Sequence, residues 1–303
     1  MAFAFLYRYL FMVYFRKILG KEVYGVPLTD REQRILQEIR EWEQGLLSNE
    51  PNDFQLTYEK YLEQAFSVLP EKTQRQFFSV IDTWLYYLHN MIQASQLQQD
   101  AKERILSSGR IFHQELEKIE DLKSLDINQL QYIADQQIAR HRMYSFIQGG
   151  IAGTGGPLLL GMDIPAMAVI NLRVVQLIAM AYGFETNTPH EMMTSLKVFH
   201  TATLPPRLQK QGWSMLMEEM AAEHTPYFYE GKEEMTDITW LDLPLQQLLK
   251  AMVITLFKKR LIQGLPLISM GIGAGVNYQL TRKVTDLAQK YYQLRYLNEK
   301  EEL

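Results

Sequence analysis

Cysteine is absent from the 303 residues, which removes disulfides, thiolate metal sites and cysteine nucleophiles in one step. A strong charge of either sign is missing too. The 31 basic and 35 acidic residues leave a net charge of -4, and without a basic excess no counterion release drives non-specific nucleic-acid binding. Histidines are scarce, six in all, at 89, 113, 141, 190, 200 and 224. None falls in an H-E-x-x-H motif or an i, i+4 imidazole pair, so no metal spacing is present. G-x-S-x-G is lacking, which takes away the nucleophile elbow of a serine hydrolase. His113 and Glu117 stand four apart, as any two exposed polar residues of a helix face would. Asp82, Tyr86 and His89 line one helix face and have the chemistry of an acid/base set; the plainer account is the solvated side of an amphipathic helix.

Hydrophobic residues make up 47% of the chain and charged residues 22%, too apolar for disorder and too charged for a polytopic membrane protein. The amino-terminal stretch "MAFAFLYRYLFMVYFRKILGKE" is apolar and aromatic, with Arg16, Lys17 and Lys21 after the apolar run. A secretory leader would carry its cations first and a small-residue cleavage site last. Two accounts stay open for residues 1–28: an interfacial anchor with aromatics at headgroup depth, or a helix covering part of the core.

Strand signals hardly occur, and helical ones recur. In "TDREQRILQEIREW", Thr29 and Glu32 form a capping box ahead of a stripe of Ile35, Leu36, Ile39 and Trp42. Helical periodicity covers 54–69 up to Pro70, then 71 to about 106. Asp126 and Gln129 mark another start, and "TPHE" at 188–191 another, with Thr188 as N-cap and proline at the first helical position. Asp163 with Pro165, and Asp242 with Pro244, predict two further N-termini, with Gly183 and Gly264 as the matching stops. Residues 224–240 read as a polar loop with aromatic anchors.

Two windows carry no charge, Met143–Met162 and Leu261–Thr281, and both hold proline and several glycines. Each reaches the length needed to span a bilayer, but their polar content makes insertion marginal, and a soluble core explains them more simply. "GGIAGTGG" is not a phosphate loop, because Gly156 is followed by Pro157 and Leu158 where a Walker loop needs Gly-Lys-Ser/Thr. Nor is it a dinucleotide fingerprint, since no strand precedes it and Leu158 takes the place of the third glycine. Close packing is the better use of these glycines. Gly149 and Gly153 are four apart, as are Gly271 and Gly275, and small-xxx-small spacing lets helices approach closely. Ser269, Gly273, Asn277 and Thr281 also step by four, drawing a narrow polar stripe. Asn171 falls among apolar residues of the helix after Asp163, and a buried amide needs partners. It would meet either Asn277 or a nearby backbone group. Arg173 is left to pair with an acid, solvent or a lipid phosphate.

"GTGG" followed by a short apolar run and "DIPA", then "AYGF", and finally "LPLISMGIGAGVNYQLTRKVTDLAQKYY" resembles the EcsC family over about Trp42 to Tyr296. The motif positions are Gly153, Gly155, Gly156, Asp163, Pro165, Tyr182, Gly183, Pro266, Gly271, Gly275 and Asn277. The resemblance implies no catalytic residue. It implies a neighbourhood, since the family's namesake is encoded beside two components of an ABC transporter linked to protein secretion.

The expected molecule is all-α, a bundle of roughly ten helices with two glycine-rich joints. Residues 29–303 would form a single EcsC-like helical domain, in which the glycine-rich segment lets the helix at 164–182 approach the one carrying Gly271 and Gly275. The expected function is that of a non-enzymatic accessory or interaction protein, cytoplasmic and at the inner face of the cell membrane, with no cofactor and no metal. Its partners would be a membrane or ABC transporter components. The alternative is a lipid-binding protein that inserts its glycine-rich hairpins, and behind it a hydrolase built on Asn171, Arg173 and Asn277.

Overall fold

The computed structural model describes residues 27–48, 96–154, 157–204, 206–221 and 266–302. Seven α-helices run through them: α1 (Asp30–Ser48), α2 (Gln96–Arg110), α3 (Ile127–Thr154), α4 (Pro157–Ala181), α5 (Pro189–Thr203), α6 (Pro206–Ala221) and α7 (Pro266–Glu302). A 3-10 turn, Glu120–Ser124, precedes α3, and there is no strand among the described residues. The all-α expectation therefore holds, while a count of ten is not reached within this part of the chain. The amino-terminal segment, the helix over 54–69, most of that over 71–106 with Asp82, Tyr86 and His89, the 224–240 loop and the Asp242–Gly264 helix lie outside the described residues.

Three helix starts follow the sequence. The Thr29 N–H donates to Glu32 Oε2 at 2.9 Å and the Glu32 N–H returns to the Thr29 hydroxyl at 3.4 Å, the reciprocal pairing of a capping box. Asp126 accepts from the amides of Asn128 and Gln129 at 2.8 and 3.1 Å, and Gln129 Oε1 accepts from the Asp126 N–H. Thr188, extended at φ -84 and ψ 148, accepts from the Glu191 amide ahead of Pro189. By contrast His113 and Glu117 share no helix face, because 111–118 is a run of turns and bends.

The start expected at Asp163 is six residues late. α4 begins at Pro157, so Asp163 and Pro165 lie inside it. Proline suits a first helical position, and Pro157 already supplies one; an Asp-x-Pro triplet marks a start only where nothing before it can be helical. Pro165 has no N–H to give the Gly161 carbonyl, so α4 runs through it with one helical hydrogen bond fewer. Its stop is as expected. Gly183 has φ +83, its N–H bonds the Met180 carbonyl at 3.0 Å, and the Phe184 N–H reaches back to Ala179 at 3.0 Å, the two bonds of a Schellman cap.

The second half of α4 is enclosed. From Asn171 to Tyr182 every side chain but Arg173 is buried, Gln176 and Met180 included, so this stretch runs through the middle of the core rather than along its surface. α7, about 55 Å long at 1.5 Å per residue, packs along α3 and also against α4, α5 and α1. Ile35, Ile39, Ile105, Leu130, Ile133, Leu177, Val284 and Tyr292 join one apolar cluster.

Of the glycines expected to pack closely, Gly275 has room: a Cβ there would meet nothing within 4 Å among the described residues. A Cβ on Gly109 would come within 2.6 Å of Leu122, on Gly183 within 2.5 Å of Lys123, and on Gly212 within 3.0 Å of Thr201.

Candidate functional site

α3 is the helix on which polar chemistry gathers. Gln137, His141 and Ser145 follow one another at steps of four, and all three are buried. On one side α3 meets α7, where Asn277, Thr281, Thr285 and Gln289 repeat at the same step. The Ser145 hydroxyl donates to the Asn277 carbonyl at 2.9 Å and accepts from the Thr281 hydroxyl at 2.6 Å. Asn277 Nδ2 donates to Gln148 Oε1 at 2.8 Å. Further along, Arg142 donates to the Thr285 hydroxyl and to Asp286 Oδ1, both at 2.7 Å, and Gln289 donates to Asp135 at 2.9 Å. As α3 rises from 135 to 148 its partners on α7 fall from 289 to 277, so the helices are antiparallel and joined by a polar seam.

The amide pair posed by the sequence does not form. Asn171 Nδ2 donates to the Met167 carbonyl one turn earlier at 2.8 Å, the backbone alternative, while Asn277 of α7 bonds across to Gln148 of α3. Asn171 and Asn277 therefore do not bond to each other. Gly149 is a buried residue of α3, Gly153 lies in its last turn, and Gly271 and Gly275 lie within α7, which begins at Pro266. Gly155 and Gly156 are outside the described residues. Tyr182 is fully buried, and burial pushes its hydroxyl pKa up.

On its other side α3 faces α2 and α4. His141 Nδ1 lies 2.9 Å from the Gln137 carbonyl. A carbonyl only accepts, so Nδ1 carries the proton and Nε2 is a bare lone pair. That Nε2 is buried and makes no hydrogen bond among the described residues; the Gln137 Oε1 makes none either. The Tyr144 ring stands edge-on to the imidazole at 5.5 Å. Burial lowers the His141 pKa to about 4; the Gln137 carbonyl opposes the shift, and Arg173, Arg104 and Arg140 add to it. Arg173 of α4, half-buried, is itself held below its ordinary value by burial and by Arg104, with Tyr144 and Asp100 acting the other way.

Beyond His141 the outer face of α3 is apolar yet exposed. Met143, Tyr144, Phe146 and Ile147 are each 50–57% exposed, and Arg140 is exposed beside them. The Phe146 ring meets Tyr278 of α7 edge-on at 6.5 Å, which fixes the base of this ridge. No helix among the described residues is long and apolar enough to cross a membrane, and no group of three or more metal-ligating side chains forms among them.

The model of the EcsC protein family matches residues 33–297, from α1 through α7. The chain belongs to the EcsC protein family. Every residue of the seam, the histidine junction and the ridge lies within the EcsC match. Another similar protein, "Uncharacterized protein YdbA" of Bacillus subtilis (strain 168), is 22% identical over 277 residues, covering 90% of this chain and 96% of that one. No solved structure matches.

His141, Ser145 and the Arg142–Thr285 pair were not singled out in the sequence. One sign was available: the period-four stripe on α7 needed polar partners on a neighbouring helix, and Asp135, Arg142, Ser145 and Gln148 of α3 supply them.

Proposed function

We propose that this EcsC protein is a non-enzymatic accessory protein that docks on an anionic membrane surface, beside the ABC transporter components that the family resemblance implies as neighbours. The observation that carries it is the ridge of Met143, Tyr144, Phe146 and Ile147, apolar side chains held in water on a well-packed helix with Arg140 among them. Exposed apolar patches on folded proteins mark contact surfaces, and aromatic and aliphatic side chains flanked by cations suit the depth of lipid headgroups. Surface attachment needs no spanning helix.

The polar residues favour a non-catalytic role. The Ser145 hydroxyl gives its proton to a backbone carbonyl rather than to a base, and a histidine pushed down to about 4 is a poor general base at neutral pH. Flotation of the full chain with phosphatidylglycerol and phosphatidylcholine vesicles tests the docking. Wild type should float with the anionic vesicles, and Phe146→Ser/Ile147→Ser should stay at the bottom of the gradient. Equal behaviour of the two proteins removes the ridge from the account.

A further inference from the structure

The two charge-free windows, 143–162 and 261–281, are far apart in sequence and meet in the fold. Ser145 bonds to Asn277 and to Thr281, Gln148 accepts from Asn277, and the Phe146 ring stands against Tyr278. Each of these contacts joins one window to the other. α4 starts at Pro157, shortly after the end of α3 at Thr154, and packs on both α3 and α7. Residues 145–154, 157–162 and 266–281 therefore share one end of the bundle, and the sequence puts no charge in any of them. Charge returns at the base of that end. Arg140 and Arg142 of α3 come level with Arg282 and Lys283 of α7, because Arg142 bonds to Thr285 and Asp286 while Ser145 bonds to Thr281. Asp286 answers Arg142 and Arg282, and Arg140 and Lys283 are exposed beside them. On these two helices, four cations meet one carboxylate at that level.

A charge-free end, then aromatic rings, then cations is the order in which a bilayer presents hydrocarbon, interface and anionic headgroup. The polar side chains of this end do not forbid entry, because Ser145, Gln148, Asn277 and Thr281 bond to one another within the seam and need no water. Its length suits one leaflet. At 1.5 Å per residue, 145–154 spans about 15 Å and 266–281 about 24 Å, enough to pass one leaflet of a hydrocarbon core about 30 Å thick and too little to cross both. We propose that this end of the bundle enters one leaflet of an anionic bilayer, down to a belt of Arg140, Arg142, Arg282 and Lys283 that pairs with lipid phosphates. The insertion rests on the docking assigned to the ridge and sets its orientation: α3 and α7 stand up from the surface. With α3 lying flat instead, Tyr132, about three turns before Met143 on the same face, would enter lipid together with the edge-on Phe112 ring. That pose would also bring the exposed Asp135 toward anionic headgroups.

Because the chain has no cysteine, single cysteines can be placed one at a time in the full-length protein. A nitroxide on Gly275→Cys, Ile147→Cys or Tyr132→Cys is read by EPR power saturation against oxygen and a nickel chelate, on mixed phosphatidylglycerol and phosphatidylcholine vesicles. Ile147 and Tyr132 are about half exposed, and a Cβ at Gly275 meets nothing within 4 Å among the described residues, so all three positions accept a label. The Gly275 and Ile147 labels should become shielded from nickel and open to oxygen, Gly275 at the greater depth, while the Tyr132 label stays in water. Lys283→Gln should weaken binding to these vesicles about fivefold, the factor for one cation near an anionic surface. Ile147 in lipid with Gly275 in water overturns the insertion and leaves the ridge docking in place; neither label in lipid removes both. Tyr132 at the depth of Ile147 overturns the upright orientation, and unweakened binding of Lys283→Gln overturns the belt. If Gly275→Cys does not fold, Gln279→Cys, exposed on the same stretch of α7, takes its place and should be shielded from nickel.

Discussion

At the scale of single residues, the glycines divide by what surrounds them. Gly275 has open space where a Cβ would stand and lies inside α7, where glycine is about 0.5–1 kcal/mol worse than alanine. Gly275→Ala should therefore raise the unfolding free energy by about that amount, and a lower melting temperature would reveal a contact not seen here. Gly183→Ala should lose about 2 kcal/mol, from the left-handed φ of +83 together with the 2.5 Å approach to Lys123. Urea denaturation of both variants checks the pair. The sequence made Gly183 legible, because a helix stop demands a particular backbone. It could not rank Gly275 against Gly109, because closeness depends on a distant partner. His141 gives a second test. Its folded pKa lies below the unfolded one, so its contribution is fully present above pH 6.5 and is lost as pH falls toward about 4, by roughly 3 kcal/mol as an upper bound. His141→Phe should flatten the stability profile across that window in urea denaturation run at several pH values.

At the scale of elements, the α3–α7 seam decides how two helices of mixed polarity find one register. Ser145→Ala leaves the Thr281 hydroxyl and the Asn277 carbonyl without their shared partner, a cost of about 1–3 kcal/mol. Ser145→Thr, which keeps the hydroxyl, should recover part of it in thermal melts. The stripe of Asn277 and Thr281 was visible in the sequence as a period of four. What it faced was not, since α3 is polar on more than one side and shows no single apolar face. The start of α4 follows the same logic. Its Asp-x-Pro triplet looks like a beginning in isolation, but the apolar turn before it is already helical. Local chemistry marks where a helix can start, and packing chooses among the candidates.

At the scale of the whole molecule, charged residues near the end of α7 hold together parts that are far apart in sequence. Lys300 reaches Glu32 in α1 at 2.6 Å. Burial pushes that carboxyl up, but hydrogen bonds from Lys300 and Thr29 outweigh it and keep its pKa below the usual carboxylate value. Arg295 forks onto Glu191 at the start of α5, lies 4.1 Å from the Phe184 ring and also pairs with Glu299, whose other partner is Lys123 in the 3-10 turn. Lys300→Ala should cost about 2 kcal/mol, because Glu32 stays buried with only Thr29 to hold it, and the loss should shrink as the carboxyl is protonated in acid. Calorimetry at neutral and acid pH compares the two.

α7 has a consequence for how the protein is made. The helices before it bury their apolar sides and their seam hydroxyls against a segment that leaves the ribosome after all of them. Until Pro266–Glu302 is synthesised, α3 displays both the ridge and the face meant for α7, so a nascent chain is far stickier than the finished one.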